Sequence, residues 1–163
     1  MSTDGNAIVR EGVSAGLIGA TAIAIWFGVL DAISGSLLAT PIMLGASLAT
    51  LFQGIGVPSD PAAFLLYTVF HYALFVGIGL LLAWVVSKAE QAPSALIGFV
   101  GLFVAFQVGW VGWTTVLAQS FGELAWYQVF LANVIASASM GYYMYRQHPA
   151  LPGKVNKLLV STD

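Results

Sequence analysis

The stretch that decides the fold is "YTVFHYALFVGIGLLLAWVV", residues 67–86, which is apolar or aromatic throughout except for Thr68, His71 and two glycines. About 20 such residues, coiled as an α-helix, match the roughly 30 Å hydrocarbon core of a bilayer. The stretch therefore predicts a membrane-spanning helix. A titratable side chain is costly in lipid, so the imidazole of His71 needs a physical reason for its position.

The composition of the whole chain agrees with this prediction. Of its 163 residues, 59% are hydrophobic and 7% are charged, whereas soluble domains average about 25% charged residues. We therefore expect an integral membrane protein in contact with the lipid bilayer. A net charge of −2 offers no basic patch for nucleic acid. Because the chain has no cysteine, disulfides, thiolate metal sites and thiol nucleophiles are excluded.

Four stretches are long and apolar enough to cross a bilayer, which predicts a single all-α membrane domain folded as a four-transmembrane-helix bundle. These spans are residues 12–33, 62–87, 94–118 and 124–145. We expect the first span to be retained, because no small-residue cleavage site follows it at a suitable distance. Residues 41–53 predict a short outer-side helix that lies on the interface, re-enters the membrane or packs on the end of the bundle.

The basic residues predict the orientation. All five fall before the first span, between the second and third, or after the fourth: Arg10, Lys88, Arg146, Lys154 and Lys157. With four spans these places share one side of the membrane, and the other side has no Lys or Arg. The positive-inside rule then predicts a multi-pass plasma-membrane protein with both termini in the cytoplasm. The tail, residues 146–163, which includes His148, lies on that side.

Two sets of small residues predict where helices pack, because close backbone approach in lipid requires small side chains. The first set lies in the first span and recurs every four residues: Gly12, Gly16, Ala20, Ala24 and Gly28. The second shares one face of the third span: Gly98, Gly101, Ala105, Gly109 and Gly112. We expect each set to contact a neighbouring helix.

Polar residues at a similar depth on three spans predict a polar layer, which comprises His71, Gln107 and Asn133, with Tyr67 one turn before the histidine. Asp31 and Glu123 mark the outer ends of two spans, where we expect hydrated carboxylates. Two arrangements remain open. Either the polar faces turn inward and the small-residue faces bind partners, or the small residues build the bundle and the polar faces look outward.

These features favour a non-catalytic accessory or scaffold subunit, in a homo-oligomer or with other membrane subunits. In this interpretation there is no catalytic residue, metal site or cofactor, and His71 forms a structural hydrogen bond between helices. One alternative is a small channel or carrier subunit with a polar path through Asp31, His71, Gln107 and Asn133. A second is a redox or pigment-binding subunit in which His71 ligates haem or a chlorin, or binds a quinone.

Overall fold

A computed structural model describes residues 5–51, 58–90, 92 and 126–160, which lie in helices and the turns between them. The helices are α1 (Gly5–Ile33), α2 (Ala39–Leu51), α3 (Asp60–Ala89), α4 (Trp126–Gln147) and α5 (Leu151–Val160). No strand occurs in these ranges, which confirms the all-helical prediction. The predicted third span and its small residues, 98–112, lie outside the described residues, as do Gln107 and Glu123.

Helices α1 and α3 are long and apolar enough to cross a membrane, with mean hydropathies of 2.0 and 2.2 in their most apolar windows. Their length and composition support the prediction of a membrane protein. Helix α3 begins after Ser59, whose backbone is extended, and Pro61 lies in its first turn. Proline suits that position, because the first N–H groups of a helix have no partner within the helix.

Glycines bring α1 and α3 into close contact. A Cβ atom added at Gly12 would lie 2.6 Å from the Cα of Leu80, and one added at Gly16 would overlap the backbone carbonyl of Phe75. From the other side, a Cβ at Gly79 would overlap the carbonyl oxygen of Gly12. Because backbone atoms block each position, hydrogen is the largest substituent that fits, and the glycines set the distance between the helices.

The set of small residues spaced by four in the first span, which we call the α1 stripe, follows this contact over only part of its length. Gly12, Gly16 and Ala20 are buried, but Ala24 and Gly28 are exposed. A spacing of four residues turns by about 40° beyond a full circle at each step, so the fifth member lies about 160° from the first. After Ala20 the buried face of α1 instead continues through a step of three residues to Ile23, and then to Phe27 and Asp31. The predicted packing therefore does not extend to Ala24 and Gly28.

Two apolar clusters join α4 to α1. One comprises Ile23, Phe27, Ala132 and Ala136. The other comprises Ala15, Ala83, Val86, Ala89, Met140, Met144 and Leu151, and so also holds the ends of α3 and α5. Phe75 on α3 packs against both clusters. Helix α1 therefore packs mainly against α3 and α4.

Helix α2 packs against the first turns of α3. A Cβ at Gly45 would overlap the carbonyl oxygen of Ala63. The chain reverses between α1 and α2 through Gly35, whose φ of 75° lies in the left-handed region that glycine adopts without a Cβ penalty.

Candidate functional site

His71 lies on the face of α3 that contacts α1, and its side chain is buried. Its Nε2 is 3.1 Å from the carbonyl oxygen of Ala20. A carbonyl oxygen can only accept, so Nε2 carries the proton and donates. Nδ1 is then an acceptor, and the hydroxyl of Tyr67 lies 3.5 Å from it. The neutral imidazole, protonated on Nε2, therefore satisfies both contacts.

Aromatic rings surround this imidazole. The ring of Phe75 lies 4.9 Å away between centroids, Tyr67 stacks at 5.4 Å, and Tyr72 approaches edge-on at 5.7 Å. The hydroxyl of Tyr72 is also 3.2 Å from that of Thr21 on α1. These contacts make the histidine part of the α1–α3 interface. Axial ligation of a haem or chlorin through Nε2 would require the bond to Ala20 to break.

Both arrangements that the sequence leaves open place the small residues and the polar residues in different contacts. In the structure, His71 and the α1 stripe lie in the same interface. Ala20 belongs to the stripe, and its carbonyl oxygen is the acceptor for His71. Of the predicted polar layer, Tyr67 contacts His71, Asn133 is half-buried on α4, and Gln107 lies outside the described residues.

Asp31 lies in the last turn of α1 and accepts hydrogen bonds from the first turn of α2. Its Oδ2 accepts the backbone N–H of Thr40 at 2.9 Å, and its Oδ1 accepts the Thr40 hydroxyl at 2.6 Å. The side chain of Thr40 lies in the first turn of α2, where N–H groups lack helical partners and the helix dipole favours a negative charge. Asp31 is 5% exposed, so the prediction of a hydrated carboxylate is wrong for this residue.

His148, in the turn between α4 and α5, lies between two carboxylates. Its Nδ1 is 2.9 Å from Oε1 of Glu90, and its Nε2 is 3.0 Å from Oε2 of Glu11. Glu11 belongs to α1, and Glu90 is the C-cap of α3. We call Glu11, His148 and Glu90 the His148 clasp, because one imidazole joins three separate segments. Lys154 of α5 adds a bond from Nζ to the carbonyl oxygen of Glu90 at 2.9 Å.

The electrostatics of the clasp favour the charged imidazole. Partial burial lowers the pKa of His148, but the hydrogen bonds and charges of Glu90 and Glu11 outweigh burial and raise this pKa above its ordinary value of 6.5. Carboxylates only accept hydrogen bonds, so both ring nitrogens must be protonated to donate to both. The imidazolium is the form that matches this geometry.

The sequence predicts His148 only as part of the tail and does not reveal the clasp. A signal was present, because Glu11, Glu90 and His148 each adjoin or lie near basic residues that the positive-inside rule assigns to one side of the membrane. The rule predicts that these three residues lie at a similar depth, but it does not predict which of them are neighbours at that depth. That depends on how α1, α3 and α4 pack.

Within the part of the chain that the structure describes, no three His, Asp or Glu side chains are arranged to hold a metal ion. Comparison of the chain with protein-family models, with curated proteins and with solved structures finds no match. The residues themselves therefore carry the functional inference.

Proposed function

We propose that this chain is a four-span protein of the plasma membrane, with both termini in the cytoplasm. It acts as a non-catalytic accessory or scaffold subunit of a homo-oligomer or larger membrane complex. The two long apolar helices support the membrane location, and the distribution of Lys and Arg supports the orientation.

The observation that carries the proposal is an exposed apolar face on α3. Its members lie within about 100° of arc, and each is exposed: Phe70, Ala73, Leu74, Gly77, Leu81 and Trp84. We call this set the α3 outer face. No described residue lies within 4 Å of a Cβ at Gly77. Ala73 and Gly77 lie one turn apart between larger side chains, a pattern that allows another helix to approach closely.

The polar groups of the helices support a packing role over a polar path. His71 is bonded to Ala20, and both carboxylate oxygens of Asp31 are bonded to Thr40. A channel or carrier that used these two side chains would first have to break bonds that hold α1 to α3 and α1 to α2.

Assembly is tested by measuring the protein mass in mild detergent with multi-angle light scattering. We expect a mass well above the 17.1 kDa of one chain, and we expect Gly77→Leu to reduce it to that of one chain. Gly141→Leu is the matched control, because Gly141 is an equally open glycine on α4. A monomeric wild type, or the same effect from both variants, would contradict the proposal.

Orientation and span number are tested with single cysteines, because the natural chain has none. Ser36 lies in the turn between α1 and α2, and Gln147 ends α4; both are exposed. In intact cells a membrane-impermeant maleimide should label Ser36→Cys, and it should label Gln147→Cys after permeabilisation. Labelling of both in intact cells would rule out four spans with cytoplasmic termini.

A further inference from the structure

We propose that the His148 clasp is a pH-dependent contact between segments. While the imidazole is charged, it holds the α4–α5 turn and α5 against the ends of α1 and α3. When the imidazole is neutral, these segments are released. The basis is the geometry of the contacts. One ring reaches Glu90 at 2.9 Å through Nδ1 and Glu11 at 3.0 Å through Nε2.

Loss of one proton breaks this arrangement. A neutral imidazole has one N–H and one lone pair, so it can donate to one carboxylate while its lone pair faces the oxygen of the other. The side chains of His148 and Glu11 are 13% and 14% exposed, so water has little access to replace a lost bond to Glu11, whereas Glu90, at 39%, is open to water. An unpaired charge in such a position is costly, and separation of the segments relieves that cost.

The two carboxylates contact the ring of His148 directly, whereas the other charged groups nearby contact different atoms. From α5, Lys154 contacts the backbone oxygen of Glu90. From α4, Arg146 lies with its Nη1 3.5 Å from the hydroxyl of Tyr142. The other basic residues near the ends of α1 and α3 are exposed: Arg10 and Lys88.

The direction of the response follows from the charge of the bound form. The pKa of His148 is raised in the folded chain. The clasp therefore contributes its full stabilisation below pH 6.5 and loses it as the pH rises through the raised pKa. Leu151, three residues beyond the histidine, packs beside Met144 in the apolar cluster. Release of the ring therefore loosens the anchor of α5.

Mobility of α5 is the direct readout. A spin label attached to Asn156→Cys, an exposed position on α5 in a chain with no other cysteine, reports this mobility by electron paramagnetic resonance in detergent. Over a titration from about pH 5.5 to about pH 9.5, we expect an immobile label at the acidic end and a mobile one at the alkaline end. The midpoint should lie above 6.5.

Four variants decide the outcome. Glu11→Gln and Glu90→Gln should each move the midpoint down toward 6.5, because each removes one negative charge from the ring. His148→Gln should abolish the step, and His71→Gln, at the other histidine of the chain, should leave it unchanged. A wild type without a step, a step that persists in His148→Gln, or a midpoint unmoved by both glutamate variants would overturn the proposal. The glutamate variants preserve side-chain size and carry the test if His148→Gln fails to fold.

This measurement is independent of the proposed membrane orientation. With both termini in the cytoplasm, as proposed above, the clasp responds to cytoplasmic pH, and that assignment rests on the proposed function. The clasp itself operates in detergent micelles. Failure of the cysteine labelling would therefore change which compartment it senses, whereas failure of the spin-label titration would remove the clasp and leave the scaffold proposal intact.

Discussion

The same substitution at two glycines of α1 should have different effects on stability. At Gly12 an added methyl group would lie 2.6 Å from the Cα of Leu80, whereas at Gly28 no described residue lies within 4 Å of it. We predict that Gly12→Ala lowers the free energy of unfolding and that Gly28→Ala leaves it unchanged or raises it. Alanine favours a helix over glycine by about 1 kcal/mol at either position, so this contribution cancels in the comparison.

The size of the difference follows from the geometry of the α1–α3 contact. An ordinary contact begins at 3.4 Å, so the Gly12→Ala methyl requires the helices to separate locally by about 0.8 Å. If α1 moves as a rigid body, the bond from His71 to Ala20 lengthens from 3.1 Å to about 3.9 Å, beyond hydrogen-bond range. Overpacking costs about 1–3 kcal/mol, and a hydrogen bond between membrane helices contributes about 0.6 kcal/mol. The two variants should therefore differ by about 2–4 kcal/mol.

Unfolding by sodium dodecyl sulfate, titrated into mild-detergent micelles and followed by circular dichroism, measures this difference. Both variants and the wild type are compared under one set of conditions, so the unfolded state is shared. Equal unfolding free energies for Gly12→Ala and Gly28→Ala, or a more stable Gly12→Ala, would refute the conclusion that glycine sets the spacing of α1 and α3.

Two further predictions concern α2. Asp31→Ala removes both acceptors of Thr40; since a hydrogen bond to a charged group contributes about 1.5–3 kcal/mol, we expect the unfolding free energy to fall by about 2–4 kcal/mol. Asp31→Asn should cost less, and additivity of Asp31→Ala with Thr40→Val in a double-mutant cycle would show that the side chains do not interact. Gly45→Leu should lower amide-exchange protection in α2 but not in α3, because its side chain meets the carbonyl of Ala63. Thr50→Leu, exposed on the same helix, is its control, and equal loss of protection in the two variants would contradict the contact.

The sequence predicted the elements that depend on composition and on local signals. The long apolar runs give α1 and α3, and Pro61, a residue type that favours the first turn of a helix, lies at the start of the second of them. The α1 stripe located its contact with α3 at Gly12 and Gly16, but a strict spacing of four departs from the helical repeat and misassigned Ala24 and Gly28. Gly79, which lies four residues before the buried Ala83, completes this contact from the side of α3.

The partners of the polar side chains were harder to predict. Of the three groups that bond to His71 and Asp31, two belong to the backbone and leave no side-chain pattern in the sequence. His71 bonds to a backbone carbonyl, and Asp31 bonds to a backbone N–H as well as to a hydroxyl. Every residue has these backbone groups, so periodicity cannot select Ala20 or Thr40. Only the packed helices show which carbonyl lies near an imidazole and which helix start lies beside a carboxylate.

The polar contacts along α1 join it to different segments, among them α4, where the carbonyl oxygen of Gln128 accepts the Nε1–H of Trp26 at 3.1 Å. Glu11 near its start joins the His148 clasp, Ala20 at its middle joins α3, and Asp31 at its end joins α2. Lipid provides no hydrophobic drive between helices, so glycine contacts and such bonds must set their rotation and register. A neutral imidazole of His71 satisfies the contact with Ala20, whereas the clasp requires a charged imidazole of His148. A rise in pH should therefore free α5 while α1 keeps its register against α3, which separates the movement of the tail from the integrity of the helix pair.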